Sequence, residues 1–192
     1  PHDYPAWLVL EIGADRPGDI RKVAQWLKPE VVVITAVPDI PAHVEYFPSP
    51  ESVLKEKASL AEYLQPGGAL ILNADDVRVR ALKSEYRSAT VLFGFDTEAD
   101  FAASYEEVMY EGGLPIGMRF RYQHKGSSVP VVLPDALGRP RIYAALAALA
   151  VAERLGIDGV AAASALRDWV PSPGRMCTSP GAPCRAAMPS GS

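Results

Sequence analysis

The sequence predicts an α/β fold: a doubly wound, mostly parallel sheet flanked by helices, with a small antiparallel β-subsheet at one end. Three observations carry that expectation. Short runs that are apolar at every position and rich in β-branched residues suit parallel strands covered on both faces. Segments of helical period alternate with them, as crossover connections require. After residue 100 the rhythm changes to longer strand-like segments separated by Gly112-Gly113 and by Lys125-Gly126-Ser127, which mark hairpins.

In chain order, residues 7–12 read as a buried first strand. Pro17 and Gly18 open an amphipathic helix to Leu27, with Ile20, Val23, Ala24 and Leu27 on one stripe, and Pro29 stops it. Residues 31–37 form a second apolar run, followed by a loop punctuated by Pro38, Pro41, Pro48 and Pro50. Helical period returns over residues 51–64, Gly67-Gly68 leads into a strand at residues 69–73, and Asp75 or Asp76 can cap the next helix to about Tyr86. A further strand is expected at residues 90–93, then antiparallel segments at 101–111, 116–123 and 128–133. An alanine-rich helix over residues 142–155 ends at Gly156, and Asp158 can cap another to Trp169. Residues 177–192 have no period of either kind and read as a disordered or foreign tail, leaving residues 1–176 as the domain.

At 192 residues, 48% hydrophobic and 22% charged, with a mean hydropathy of +0.03, the chain has a globular composition and excludes coiled coils and fibrous repeats. Its longest apolar stretch is too short to span a bilayer, so no membrane association is expected. A net charge of -4 argues against nucleic acid as a partner. Both cysteines, Cys177 and Cys184, fall in the tail, so no disulfide framework is expected. With no secretory signal at the start, a cytoplasmic location and a monomer are the expectation.

Lys57 is the most informative candidate residue, because its neighbours at helical spacing are Val53, Leu54, Leu60 and Ala61, which place it on the apolar stripe. Lys55, surrounded by Glu51, Ser52, Ala58 and Ser59, points outward. An inward lysine either snorkels at the stripe's edge or is held neutral or chemically modified. Glu11 lies near the carboxyl end of the first expected strand and His43 in the loop after the second, the edge where doubly wound sheets bind ligands. Each is compatible with a plain structural or surface role; together a carboxylate and an imidazole there are suited to a divalent cation. Neither GxxxxGK[ST] nor GxGxxG occurs, so residues 1–192 carry no triphosphate cradle of that kind.

Leu8-Val9-Leu10-Glu11-Ile12-Gly13 with Arg16-Pro17-Gly18-Asp19-Ile20, then Ala42-His43-Val44-Glu45, Lys57, Leu72-Asn73-Ala74-Asp75-Asp76 and Pro173-Gly174-Arg175-Met176 follow one another in an order and spacing that resembles the central ATPase domain of the Mur ligases. Within that family the likeness is nearest to the ligases that join D-alanyl-D-alanine to a UDP-muramoyl tripeptide. The resemblance implies ATP and Mg2+ as cofactors, with Glu11 and His43 as magnesium ligands and Lys57 carbamylated as the third. It implies Asn73 and Arg175 as nucleotide-binding residues, and a UDP-muramoyl peptide and D-alanyl-D-alanine as partners. It also implies an intact ligase with further domains and a phosphate loop ahead of this segment, so that the chain is a central-domain fragment. Two departures stand out: Ala36 where the family has asparagine, and Gly138-Arg139-Pro140-Arg141-Ile142-Tyr143-Ala144 where it has Gly-x-His-Asn-x-x-Asn, which removes an adenine-contacting asparagine. Cyanophycin-type or folylpolyglutamate-type synthetases, and a non-catalytic α/β module, are the competing expectations.

Overall fold

Val31–Ile34 (β1), Ala69–Asn73 (β2), Thr90–Gly94 (β3) and Phe101–Glu111 (β4) run parallel in the computed structural model, which describes residues 5–86 and 90–169. Leu114–His124 (β5) and Ser127–Pro134 (β6) continue the sheet antiparallel, giving one six-stranded sheet in the order β1-β2-β3-β4-β5-β6. The antiparallel strands are therefore an extension of the parallel sheet through β4. The helices are Asp19–Leu27 (α1), Pro50–Ala58 (α2), Val77–Ala81 (α3), Arg139–Arg154 (α4) and Gly159–Ala165 (α5).

Alternation of side chains explains why the strands read as continuous apolar runs. Leu70 and Leu72 of β2 face a cluster with Val32, Ile34 and Leu92, covered by Ala58, Ala61, Val79 and Leu82 from α2, α3 and the 3-10 turns that extend them. Ile71, one residue out of phase, faces the other side with Phe93, under Ile142, Leu146 and Leu149 of α4 and Ala163 of α5. Every residue of β2 is buried because both faces are covered. The hairpin turns follow the expected glycines: Gly112 and Gly113 take φ of 57° and 81°, where only glycine is unstrained.

The expected first strand is not formed. Residues 7–12 have no regular structure, and Trp7, Leu8, Val9 and Leu10 are 54%, 70%, 89% and 45% exposed. An apolar run becomes a strand only through a neighbouring ladder, and β1 pairs with β2 alone among the described residues. Other differences are smaller. The helix expected over residues 51–64 is α2, opened by a capping box between Ser49 and Ser52 with Pro50 in the first turn, followed by a 3-10 turn at Ser59–Tyr63. Asp76, rather than Asp75, caps α3, and Asp158 caps α5. The expected tail at residues 177–192 lies outside the described residues. No helix among those described is long and apolar enough to cross a membrane.

Glu56 joins the first two helices. Gly18, the N-cap of α1, has no side chain to satisfy the helix's free amides, and Glu56 of α2 does so instead. Its Oε2 accepts from Gly18 N at 2.8 Å and its Oε1 from Ile20 N at 2.9 Å. Replacing Glu56 by Ala leaves those amides without their acceptor and should cost roughly 1–3 kcal/mol. Urea unfolding of the chain checks this; an unchanged midpoint would show that solvent takes over the cap.

Candidate functional site at the carboxyl edge of the sheet

Three loops leave the carboxyl ends of β1, β2 and β3, and the segment after β2 ties them together. Asn73, 5% exposed, donates from Nδ2 to the Thr35 carbonyl at 2.9 Å and accepts from Asp75 N at 3.0 Å. Asp76 accepts from Val37 N at 2.8 Å while its other oxygen caps α3. Asp75 accepts from Phe95 N and Asp96 N at 2.7 and 2.8 Å. Gly94 is glycine for this reason, since a Cβ there would stand 2.9 Å from both Asp75 carboxylate oxygens.

Beside this tripod, near the end of β1, lies a cavity of about 280 Å³. Its apolar wall includes Phe47 and Val53, and its polar groups are Asp15, His43, Glu56 and Lys57. His43 Nε2 stands 3.2 Å from Asp15 Oδ1, and Nδ1 is 3.8 Å from Glu45 Oε1. Lys57 is half-buried and lines the cavity while Lys55 is exposed, the orientation that helical spacing required. Both oxygens of Glu56 are committed to the amides of α1.

His43 and Lys57 are thus brought together, and Glu11 is not with them: it is exposed on the unpaired run and outside the cavity's lining. Among the described residues no three His, Cys, Asp or Glu side chains converge as a metal-binding group. Magnesium requires several oxygen ligands in near-octahedral array, and the cavity offers one carboxylate not bonded to backbone, Asp15, which itself stands against His43, beside an amine. As arranged, these residues do not fit a magnesium shell. Asn73 sits on the same edge with its side chain engaged by backbone, and Arg175 lies outside the described residues.

Sequence reasoning missed a second cluster on this edge. Tyr143, in the second turn of α4, packs edge-on against Phe95 with ring centroids 5.5 Å apart, and its hydroxyl bonds to Asp75. Burial, and then that bond, push the phenol up to about 12. Burial also raises Tyr86 and Tyr122. The folded state holds these phenols protonated, so the stabilisation is complete below their ordinary value of 10.0 and is lost as pH rises through the folded values. Tyr143→Phe should flatten the loss of stability between pH 10 and about 12 and remove the last step of the phenolate absorbance titration. An unchanged last step would assign it to another of the eight tyrosines.

Comparison with known proteins bears on this geometry. The Mur ligase middle domain family matches residues 3–152. A UDP-N-acetylmuramoyl-tripeptide–D-alanyl-D-alanine ligase of Mycobacterium leprae is 36% identical over 76 residues, 40% of this chain and 14% of that protein. A UDP-N-acetylmuramate–L-alanine ligase of Alkaliphilus metalliredigens is 29% identical over 119 residues, 62% of this chain and 25% of that protein. The crystal structure of MurF from Acinetobacter baumannii shares the fold, with a TM-score of 0.75 at 23% identity over 86% of this chain and 35% of its own. The chain spans a quarter or less of those two curated relatives and about a third of that structure. With the family matched across most of its length and its fold reproduced, the chain belongs to the Mur ligase middle domain family.

Proposed function

We propose that this chain is the central part of an ATP-dependent amide-bond-forming ligase of peptidoglycan precursor synthesis, one that adds D-alanyl-D-alanine to a UDP-muramoyl tripeptide. The family match over residues 3–152 carries the reading, and the D-alanyl-D-alanine ligases among the relatives, at up to 36% identity, point to the amine. The match to an L-alanine ligase favours the second reading, the same chemistry with a different amine. In either case a substrate carboxylate attacks the γ-phosphorus of ATP and the bond to ADP breaks. The amine then attacks the acyl carbon, phosphate leaves with the bonding pair, and the amine's proton passes to solvent or a base.

The chain's own contribution is positioning and exclusion of water. Phe47 and Val53 give the cavity a dry wall, and Asp15 holds the His43 imidazole across from Lys57. Glu11, His43 and Lys57 become a cation set only if Lys57 carries a carbamate and Glu11 is brought in from the exposed run. Asn73 and Arg175 are the proposed nucleotide contacts. A protein carrying this chain together with the terminal parts its relatives have should release ADP on addition of both partners, and a product lacking D-alanyl-D-alanine would favour the second reading.

Two further outcomes are expected. Residues 1–192 alone should not hydrolyse ATP, because they hold no GxxxxGK[ST] cradle; magnesium-dependent turnover by the purified chain would refute this. In the longer protein Lys57→Ala should keep the fold and lower ligation by about 100-fold, the scale of a misplaced reacting group. Lys55→Ala should leave it unchanged, and the opposite pattern would reverse the orientation of α2.

A further inference from the structure

The rim of the cavity carries an arginine that none of the nearby carboxylates engages. Arg16 and Tyr46 are exposed, and each adjoins a residue of the cavity's lining, Asp15 and Phe47. The Arg16 guanidinium carbon lies 4.9 Å from the centre of the Tyr46 ring, a cation–π contact between the loop before α1 and the loop after β1. A turn fixes the arginine's backbone: its amide donates to Asp19 Oδ2 at 2.9 Å, and its carbonyl accepts from Asp19 N at 3.2 Å.

Three carboxylates belong to the same two loops or to the helix that follows, and each is turned elsewhere. Asp15 stands 3.2 Å from His43 Nε2, and Glu45 lies 3.8 Å from His43 Nδ1. Asp19 gives one oxygen to Lys22 Nζ at 3.1 Å and the other to the Arg16 amide. Among the described residues Arg16 forms no ion pair, whereas Arg21, Arg78, Arg80, Arg119 and Arg139 each hold a carboxylate. A guanidinium seated by its face on an aromatic ring keeps its N–H edge free for a planar partner with two oxygens. Joining the loops does not account for the contact, because Asp15 and His43 already join them.

We propose that Arg16, seated on Tyr46 at the cavity rim, binds a carboxylate of the acid partner other than the one that reacts, and so orients that partner. The proposal rests on the ligase reading above for its ligand and adds a positioning residue to it. In that reading the acid arrives as a peptide, and the rim is where a group beside the reacting one lies when the reacting carboxylate enters the cavity. A guanidinium against the reacting carboxylate itself would draw charge from the nucleophile that attacks phosphorus. On the rim, outside the lining that holds His43 and Lys57, it grips a neighbouring group and leaves the nucleophile its charge.

Glutarate, a bare dicarboxylate, is titrated into residues 1–192 and followed by NMR, with glutaramide as its uncharged counterpart and inorganic phosphate as the other oxyanion. Glutarate should shift the Arg16 Nε–H and Tyr46 ring signals, and glutaramide should not. Arg141, whose guanidinium lies 5.6 Å from the Trp169 ring, is the internal control. Equal shifts at Arg141, or larger shifts at Arg16 with phosphate than with glutarate, would overturn the proposal. In the longer protein Arg16→Gln should raise the KM for the UDP-muramoyl peptide about tenfold and leave kcat nearly unchanged, the pattern and scale of one lost charge-assisted hydrogen bond to substrate. Arg16→Lys should recover part of the loss, with melting curves confirming that both variants fold. A peptide whose non-reacting carboxylates are carboxamides should show the raised KM with the unaltered protein and no further rise with Arg16→Gln. An unchanged KM, or an equal rise for both peptides, would remove this inference and keep the ligase reading. Glutarate shifts confined to Arg16 and Tyr46 without any ligation would do the reverse.

Discussion

Asn73, Asp75 and Asp76 spend their side chains on the backbone of the loops to either side of β2, and the shape of the carboxyl edge depends on that. A loop beyond a strand's end has lost its ladder partners, and its amides need acceptors if it is to hold one conformation. Here the end of β2 and the two aspartates after it supply the partners: Asn73 donates to the Thr35 carbonyl and Asp76 accepts from Val37 in the loop after β1, while Asp75 accepts from Phe95 and Asp96 in the loop after β3. Each bond is of ordinary strength, about 0.5–1.5 kcal/mol net, rising toward 3 where a carboxylate accepts. Their effect on geometry is larger, because they link three loops into one body at the place where ligand groups must be held in register.

The cavity and the second cluster on that edge stand in different relations to the tripod. The cavity near β1 is reached through the Thr35 and Val37 contacts, and its remaining walls come from the run before α1 and from α2, joined by Glu56. The second cluster, in which Arg139 lies over Phe95 and bonds to Glu106, is reached through Asp75, which grips the Phe95 amide and the Tyr143 hydroxyl together. Asp75 is therefore tied to the α4 side of the edge, and Asp76 to the side that holds the cavity.

Most of the fold was legible because apolar runs and helical period report burial directly. β2 and β3 sit where their runs lie, and α2 presents Lys57 to the cavity and Lys55 to solvent as the spacing of Val53, Leu54, Leu60 and Ala61 required. The run at residues 7–12 misled for a physical reason: composition shows that a segment is suited to a ladder, and cannot show whether a neighbour is there to form one. Glu11 went with it, since a residue on an unpaired run has no fixed face. Glu56 was invisible because its partners are backbone amides 38 and 36 residues away. Arg139 and Tyr143 stand out in the sequence only as departures from a family motif, and their partners in β4 and after β3 are brought to them by tertiary contact and not by spacing.

The bulge in β4 decides which of its side chains faces the core and which meets α4. An ordinary antiparallel register would set successive β4 side chains on alternate faces, and each change of register by one residue reverses that assignment. Between Ser104 and Glu107 the extra residue resets the alternation, so that Phe101 and Ala103 below the bulge pack into the core with α4 while Glu106 meets the helix at its first residue. Above the bulge Val108 still packs against the core, and the strand leaves it toward the hairpin end, where Tyr110 and Leu114 are 65% and 62% exposed. β4 thus stays paired with β5 on both sides of the bulge, while the bulge turns Glu106 toward α4. A regular strand could not bury Phe101 and Ala103 in one alternation and still deliver Glu106 to Arg139, and this is why a strained Tyr105 is tolerated at that point.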